Sequence, residues 1–317
     1  MIRRTLRDWR CAVATGSSVV LAVFFSAGAE ASDLPPHYAE SVAVYGLTPD
    51  GSEEVRFRLA RFPERGQGAV WLSVFVAGQH YAVVDPTVEL DPQAGATPVA
   101  AGRAAFRVAD ASNITVSTTA RHTDHMRGEV HAQALAHRGF HPPSGSGEVP
   151  VRIEVAFRAM HSPVAARPGR LEVFGTTQAK VTTPEGTFTV EGPGKWHEQT
   201  GPRRTFAPSF TYLWGAAADH GLLARGGAGS AWGLVAEDMT VTAVNRLRID
   251  PVGRSARQFE VTLADGRAVT GTAHVLRQSS VPIEGGRRPS ATVRIESTLG
   301  TMIGHLNDWD PGSVREP

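Results

Sequence analysis

The chain has 317 residues, 41% of them hydrophobic and 20% charged, with one cysteine and a formal charge of +1. A balance so close to zero excludes a nucleic-acid binder, which needs a surplus of cations over phosphate. A single cysteine excludes a disulfide framework and a multi-cysteine zinc site, and the apolar content excludes a wholly disordered chain.

The first 31 residues read as a leader. Arg3, Arg4, Arg7 and Arg10 make a basic start, Val19–Phe25 is the densest apolar run, and Ala29-Glu30-Ala31 fits the small-x-small rule for cleavage before Ser32. The run is well short of the ~20 residues that span a bilayer. The expectation is an exported protein, periplasmic or extracellular, with no stable membrane span after cleavage. The leader takes Cys11 with it and moves the charge balance from +1 to −1.

Beyond the leader nearly every periodic segment has period two. Residues 54–62, 151–157 and 291–296 alternate polar and apolar side chains, which predicts strands with one wet and one buried face. In chain order the expected strands are 40–47, 54–62, 69–77, 79–84, 103–109, 113–119, 127–138, 151–157, 170–176, 186–191, 207–215, 231–237, 239–249, 256–263, 267–276 and 291–296. Turn signals such as Pro49-Asp50-Gly51 and Asp265-Gly266 separate them. So many strands exceed one open sheet. The expectation is an all-β chain of two consecutive antiparallel barrels or sandwiches, 32–165 and 166–317, joined near Pro163–Pro168. Trp71, Phe75, Trp214, Trp232 and Phe259 are expected to point inward, and Trp309 to pack back on a barrel.

The most chemical stretch is Glu191–Trp214, EGPGKWHEQTGPRRTFAPSFTYLW. Gly192 and Gly194 suggest tight turns between two strands. If 195–199 is extended, Lys195, His197 and Gln199 share one face, and Trp196 and Glu198 the other. The candidate catalytic groups are His197, Glu198 and Tyr212. A buried carboxylic acid can act as a proton donor, and an imidazole as its base partner. Trp196, Gln199, Arg203, Trp214 and Trp232 are candidate ligand-binding residues. His122, His125, His131, His137 and His141 cluster in sequence, but their spacing makes no strong metal site, and no metal or cofactor is expected. The chain has no Gly-x-Ser-x-Gly elbow and no phosphate loop.

Gly192, Gly194 and Gly201, with the polar run between them, resemble the central motif of the two-domain lipocalin-like (calycin) proteins. That family includes carotenoid 1,2-hydratases, fungal lipocalin-like Diels–Alderases and uncharacterised bacterial proteins. Its pattern runs roughly Gly-x-Gly-Tyr-x-Asp-His-Asn-Trp-Gly. Here His197, Glu198 and Gln199 stand where the family has Asp, His and Asn. Residues 231–235, 241–250, 259–266 and 271–276 resemble strands of its second barrel. The resemblance implies paired barrels and a hydrophobic small-molecule partner such as a lipid or isoprenoid. Its alternative implication is a cofactor-independent hydratase, lyase or cyclase of an isoprenoid or polyketide, with His197 and Glu198 as acid–base groups. Expression in a Gram-negative host followed by amino-terminal sequencing checks the leader. The first residue expected is Ser32, and a chain still beginning at Met1 contradicts the cleavage.

Overall fold

A computed structural model describes residues 36–83, 87–89, 104–107, 115–120, 125–137, 147–202, 209–227, 229–283 and 286–309. The expected leader, Arg203 and Arg204, His122, His141 and most of the expected loop at 142–148 lie outside the described residues. The first twelve strands are β1 (Tyr38–Leu47), β2 (Glu54–Phe62), β3 (Gln67–Val76), β4 (Gln79–Ala82), β5 (Thr87–Glu89), β6 (Ala104–Arg107), β7 (Thr115–Ala120), β8 (His125–His137), β9 (Glu148–Ala159), β10 (Val164–Arg167), β11 (Arg170–Thr183) and β12 (Gly186–Pro202). Eight more follow: β13 (Phe210–Ala216), β14 (His220–Gly227), β15 (Ser230–Glu237), β16 (Thr240–Ile249), β17 (Ala256–Leu263), β18 (Ala268–Ile283), β19 (Gly286–Ser297) and β20 (Gly300–Trp309). Among the described residues, no helix is long and apolar enough to cross a membrane.

The protein is all-β and antiparallel. Strands β13 to β20 pair in chain order, and β20 pairs back on β13, so they form a closed eight-stranded barrel. The first sheet also closes. Its path runs β11–β12–β1–β2–β3–β4–β8, and β9 bridges β8 to β11. That gives a second ring of eight strands, with β5, β6, β7 and β10 as side branches. The expected join near 163–168 falls on β10, which pairs with β11 inside the first sheet. The chain changes sheet between Pro202 and Phe210 instead.

Side-chain parity builds three layers. Even residues of β1, such as Val42 and Val44, fill the first ring with Phe57, Leu72, Ile153 and Trp196. Leu213, Val261, Val293 and Leu306 fill the second. Odd residues of β1, Ala43, Tyr45 and Leu47, meet Phe174, Tyr212, Trp214, Leu223 and Ile303 in a third cluster between the barrels. Strand β1 is therefore buried at every position. The polar face of β2 is not wet as its alternation predicts: Glu54 and Arg56 are 2% and 6% exposed, turned toward the second barrel. Of the five aromatics expected inside, Phe259 is in the barrel core. Trp214 and Trp232 face the seam, as does Trp71, which packs with Trp309. Phe75 lies under the Arg277 guanidinium at 3.8 Å.

The motif glycines do not make turns. β12 runs unbroken from Gly186 to Pro202, and Gly194 sits opposite Gly46 on β1 and Gly175 on β11. A Cβ on Gly194 would strike the Thr177 hydroxyl and the Tyr45 carbonyl. Those two groups hydrogen-bond at 2.8 Å, so glycine is required for close approach of three strands.

Gly221 has the same role between the barrels. A Cβ there would lie 2.5 Å from the ring of Phe174. Gly221→Val is expected to lower stability by about 1–3 kcal/mol through overpacking, measured by urea unfolding. Gly221→Val with Phe174→Leu should recover part of the loss.

Candidate active site

Strand β12 carries the site. Because it is regular, Lys195, His197 and Gln199 point outward from the first barrel into the seam. Trp196 and Glu198 point into the first barrel, where the Trp196 indole donates to Glu198 Oε1 at 3.3 Å. His197 and Glu198 are both buried, at 2% and 6% exposure, but on opposite faces. The expected pairing of Glu198 as acid with His197 as its base is therefore ruled out by strand geometry.

The partner of His197 is a network from β11 and β13. Glu172, fully buried, accepts from Arg170 Nε at 2.5 Å and from Lys195 Nζ at 2.7 Å. The Tyr212 hydroxyl receives Lys195 Nζ at 2.9 Å and Arg170 Nη2 at 3.0 Å, and donates to Glu172 Oε1 at 3.4 Å. Arg170 also donates to Gln199 Oε1 at 3.2 Å. His197 Nδ1 lies 3.3 Å from Arg170 Nη2 and 3.4 Å from Lys195 Nζ. Both neighbours carry only donors, so Nδ1 is the acceptor. That assigns the proton of the neutral ring to Nε2, and His197 is a donor at its other edge rather than a base.

Charge is unbalanced here. Arg167, Arg170 and Arg225 all stack against the Trp232 ring, at 5.3, 4.9 and 6.0 Å from its centroid. With Lys195 they make four cations around one carboxylate, Glu172; Arg170 and Lys195 are buried, Arg225 is half-buried and Arg167 is exposed. Burial lowers the pKa of Arg225, helped by Arg167 and Arg170. Burial likewise lowers that of Arg167, helped by Arg170. For Lys195 burial acts in the same sense, but Glu172 outweighs it and the pKa is raised. Burial and Glu172 together raise the Tyr212 phenol above its ordinary range, against the pull of Lys195 and Arg170. Tyr212 is thus a phenol at neutral pH, with two cations ready to hold its phenolate. Nearby, Trp214 Nε1 and Asn307 Oδ1 are buried with no hydrogen-bond partner among the described residues.

The seam continues through Tyr45 and Trp214, whose rings lie 5.3 Å apart, to His305 on β20. There Glu54 accepts from Thr292 at 2.5 Å and from Arg277 at 2.7 Å, and Arg56 donates to Ser290 at 2.8 Å. His305 Nε2 is 3.6 Å from Glu54. Burial pushes the His305 pKa down to about 3; Glu54 opposes this, and Arg56 and Arg277 add to it. Burial works to raise Glu54, but His305, Arg56 and Arg277 outweigh it and hold the carboxyl far below its usual range.

Five of the eight expected site residues, His197, Gln199, Tyr212, Trp214 and Trp232, thus meet in the seam. Trp196 and Glu198 are turned away, and Arg203 lies outside the described residues. Sequence reading missed Arg170, Glu172, Tyr45 and His305. The first two sit on an ordinary alternating strand, and their only signal was shared parity with a burial no periodicity reveals. In the histidine-rich segment, His131 bonds Glu129 at 2.6 Å on a half-exposed surface. Among the described residues, no three metal-ligating side chains converge.

No family profile and no curated protein matches this sequence. Solved structures do. The chain is similar to CghA crystallised with Sch210972, with a TM-score of 0.59 and 9% identity over 87% of this chain and 89% of that one. It is also similar to CghA alone, with a TM-score of 0.53 and 8% identity over the same shares. Kievitone hydratase from Nectria haematococca aligns with a TM-score of 0.46 and 8% identity, over 92% of this chain and 94% of that one. At such identities the CghA likeness shows a shared all-β fold and no more.

The seam also fixes how stability responds to pH. His305 and Glu54 have folded pKa values below their ordinary 6.5 and 4.5, so the unfolded chain binds more protons as pH falls. Their stabilisation is complete above pH 6.5 and is lost downward, through His305 toward pH 3 and through Glu54 below 4.5. Each group contributes a slope of at most about 1.4 kcal/mol per pH unit. His305→Gln is expected to flatten the fall between pH 6.5 and 4.5, read by thermal unfolding across pH. His161, also lowered by burial, leaves a residual slope.

Proposed function

We propose that the seam between the barrels is the active site of a cofactor-independent hydratase, lyase or cyclase. Its substrate is a hydrophobic molecule bearing an enolisable carbonyl, of polyketide type, met after export. The observation that carries this reading is the buried excess of cations around a neutral phenol: Arg170 and Lys195 converge on the Tyr212 hydroxyl at 3.0 and 2.9 Å.

Such a setting stabilises negative charge that develops in a reaction. It opposes a carbocation, so protonation of an isoprenoid alkene is disfavoured there. With a conjugated enone, the Arg170 and Lys195 donors and the His197 Nε2–H polarise the carbonyl. Water adds to the β-carbon, and the electron pair moves onto the carbonyl as an enolate. The Tyr212 phenol delivers a proton to the α-carbon, and the proton lost by water returns to the phenolate. Cyclisation would use the same donors without the water. Tyr45, Trp214 and Trp232 supply the apolar flank that holds the body of the substrate. That CghA, of similar fold, is crystallised with Sch210972 accords with a small molecule held by this architecture.

A second reading, retention of a lipid or isoprenoid without reaction, rests on the same aromatic flank. Two probes separate them: 2-acetylcyclohexane-1,3-dione, an enolate at neutral pH, and retinol, a neutral polyene alcohol. The enolate is expected to bind, and Lys195→Met and Tyr212→Phe to weaken it tenfold or more. Tight retinol binding that ignores both substitutions, with no enolate binding, overturns the enzyme reading.

A further inference from the structure

The second barrel is not packed to its end. At the mouth beneath the β16–β17 connection lies a cavity of about 190 Å³, with Val252, Val275, Ala291 and Leu306 as apolar wall and Arg257 and Asp308 as polar side. This is the inside of the barrel, not the seam. On β20, Leu306 lies in the barrel core, while the alternate residue His305 faces Tyr45 and Trp214 across the seam.

Arg257 is 3% exposed. It donates Nε to the Asp250 carbonyl at 2.8 Å and Nη1 to Asp308 Oδ2 at 2.8 Å. Nη2 makes no bond among the described residues and is not among the fully buried unpaired atoms, so this donor stays open to the mouth. Thr211 holds the other Asp308 oxygen at 2.7 Å, which fixes the ion pair in place. Arg254 reaches Asp250 at 3.5 Å, so two cations face two carboxylates and the mouth is neutral overall. Val252, 60% exposed, forms an apolar rim.

We propose that this mouth binds a small neutral molecule: an apolar body of about one ring, carrying a carbonyl that accepts from Arg257 Nη2. The volume is comparable with the ~150 Å³ in which benzene binds an apolar cavity. A carboxylate is disfavoured because the balanced charges leave no net cation to offset its desolvation. The site does not depend on the chemistry assigned to the seam.

The test uses the full chain titrated with 4-fluoroacetophenone and followed by fluorine NMR. Saturable one-to-one binding is expected. Fluorobenzene should bind at least fivefold more weakly, and 4-fluorobenzoate should show no saturation. Ala291→Leu fills the cavity from β19 and should weaken the ketone tenfold or more, with unfolding unchanged. Val275→Phe fills it from β18 and gives the same readout if the first variant folds poorly. Tyr212→Phe, in the seam, should leave ketone binding unaltered. Absence of saturation, binding that survives both filling variants, benzoate bound more tightly than ketone, or loss on Tyr212→Phe would each overturn the proposal.

Discussion

Everything at the seam depends on Glu172. A carboxylate with no solvent exposure costs several kcal/mol unless its charge is met. Arg170 comes from two residues earlier on the same strand and Lys195 from the neighbouring one, so the first barrel meets that charge by itself. The second barrel adds Tyr212, whose hydroxyl completes the donors' geometry. Removing one partner of such a group typically costs about 3–5 kcal/mol. The same ion cluster therefore joins the two barrels and makes this part of their contact polar. Structural and chemical roles are not separable at these residues.

The seam is polar at its two ends and aromatic in the middle. Tyr45 is the hinge of that pattern. Lys195 Nζ sits 4.8 Å above its ring, and His197, Trp214 and His305 surround it. One end is rich in cations; the other sets Glu54 against Arg56 and Arg277, an excess of one cation, and keeps His305 neutral.

Much of the fold was legible in alternation alone, because strands such as β9 and β17 do separate a packed face from a polar one. The misreadings share one cause. Alternation reports polarity, and polarity was taken to mean water. On β2 the polar face is Glu54 and Arg56, buried against another barrel. On β20 both faces are buried, so GTMIGHLNDW shows no period and is absent from the expected strands. β14 hid behind its glycines, one of which makes room for Phe174. At the site, parity correctly separated His197 from Glu198. It could not supply Glu172 or Arg170, which meet β12 only through strand pairing.

The two rings also close late. β1 must wait for β12, with Tyr38 opposite Pro202, and β13 must wait for β20, with Phe210 opposite Trp309. Both closures join residues far apart in sequence, the kind of pairing that slows folding. During synthesis the first ring stays open until the Lys195 strand has emerged. Lys195, the second of the two cations that neutralise Glu172, thus arrives with the closing strand, and the second ring can only then build its half of the seam on a finished surface. The order of translation is the order in which the buried charge becomes tolerable.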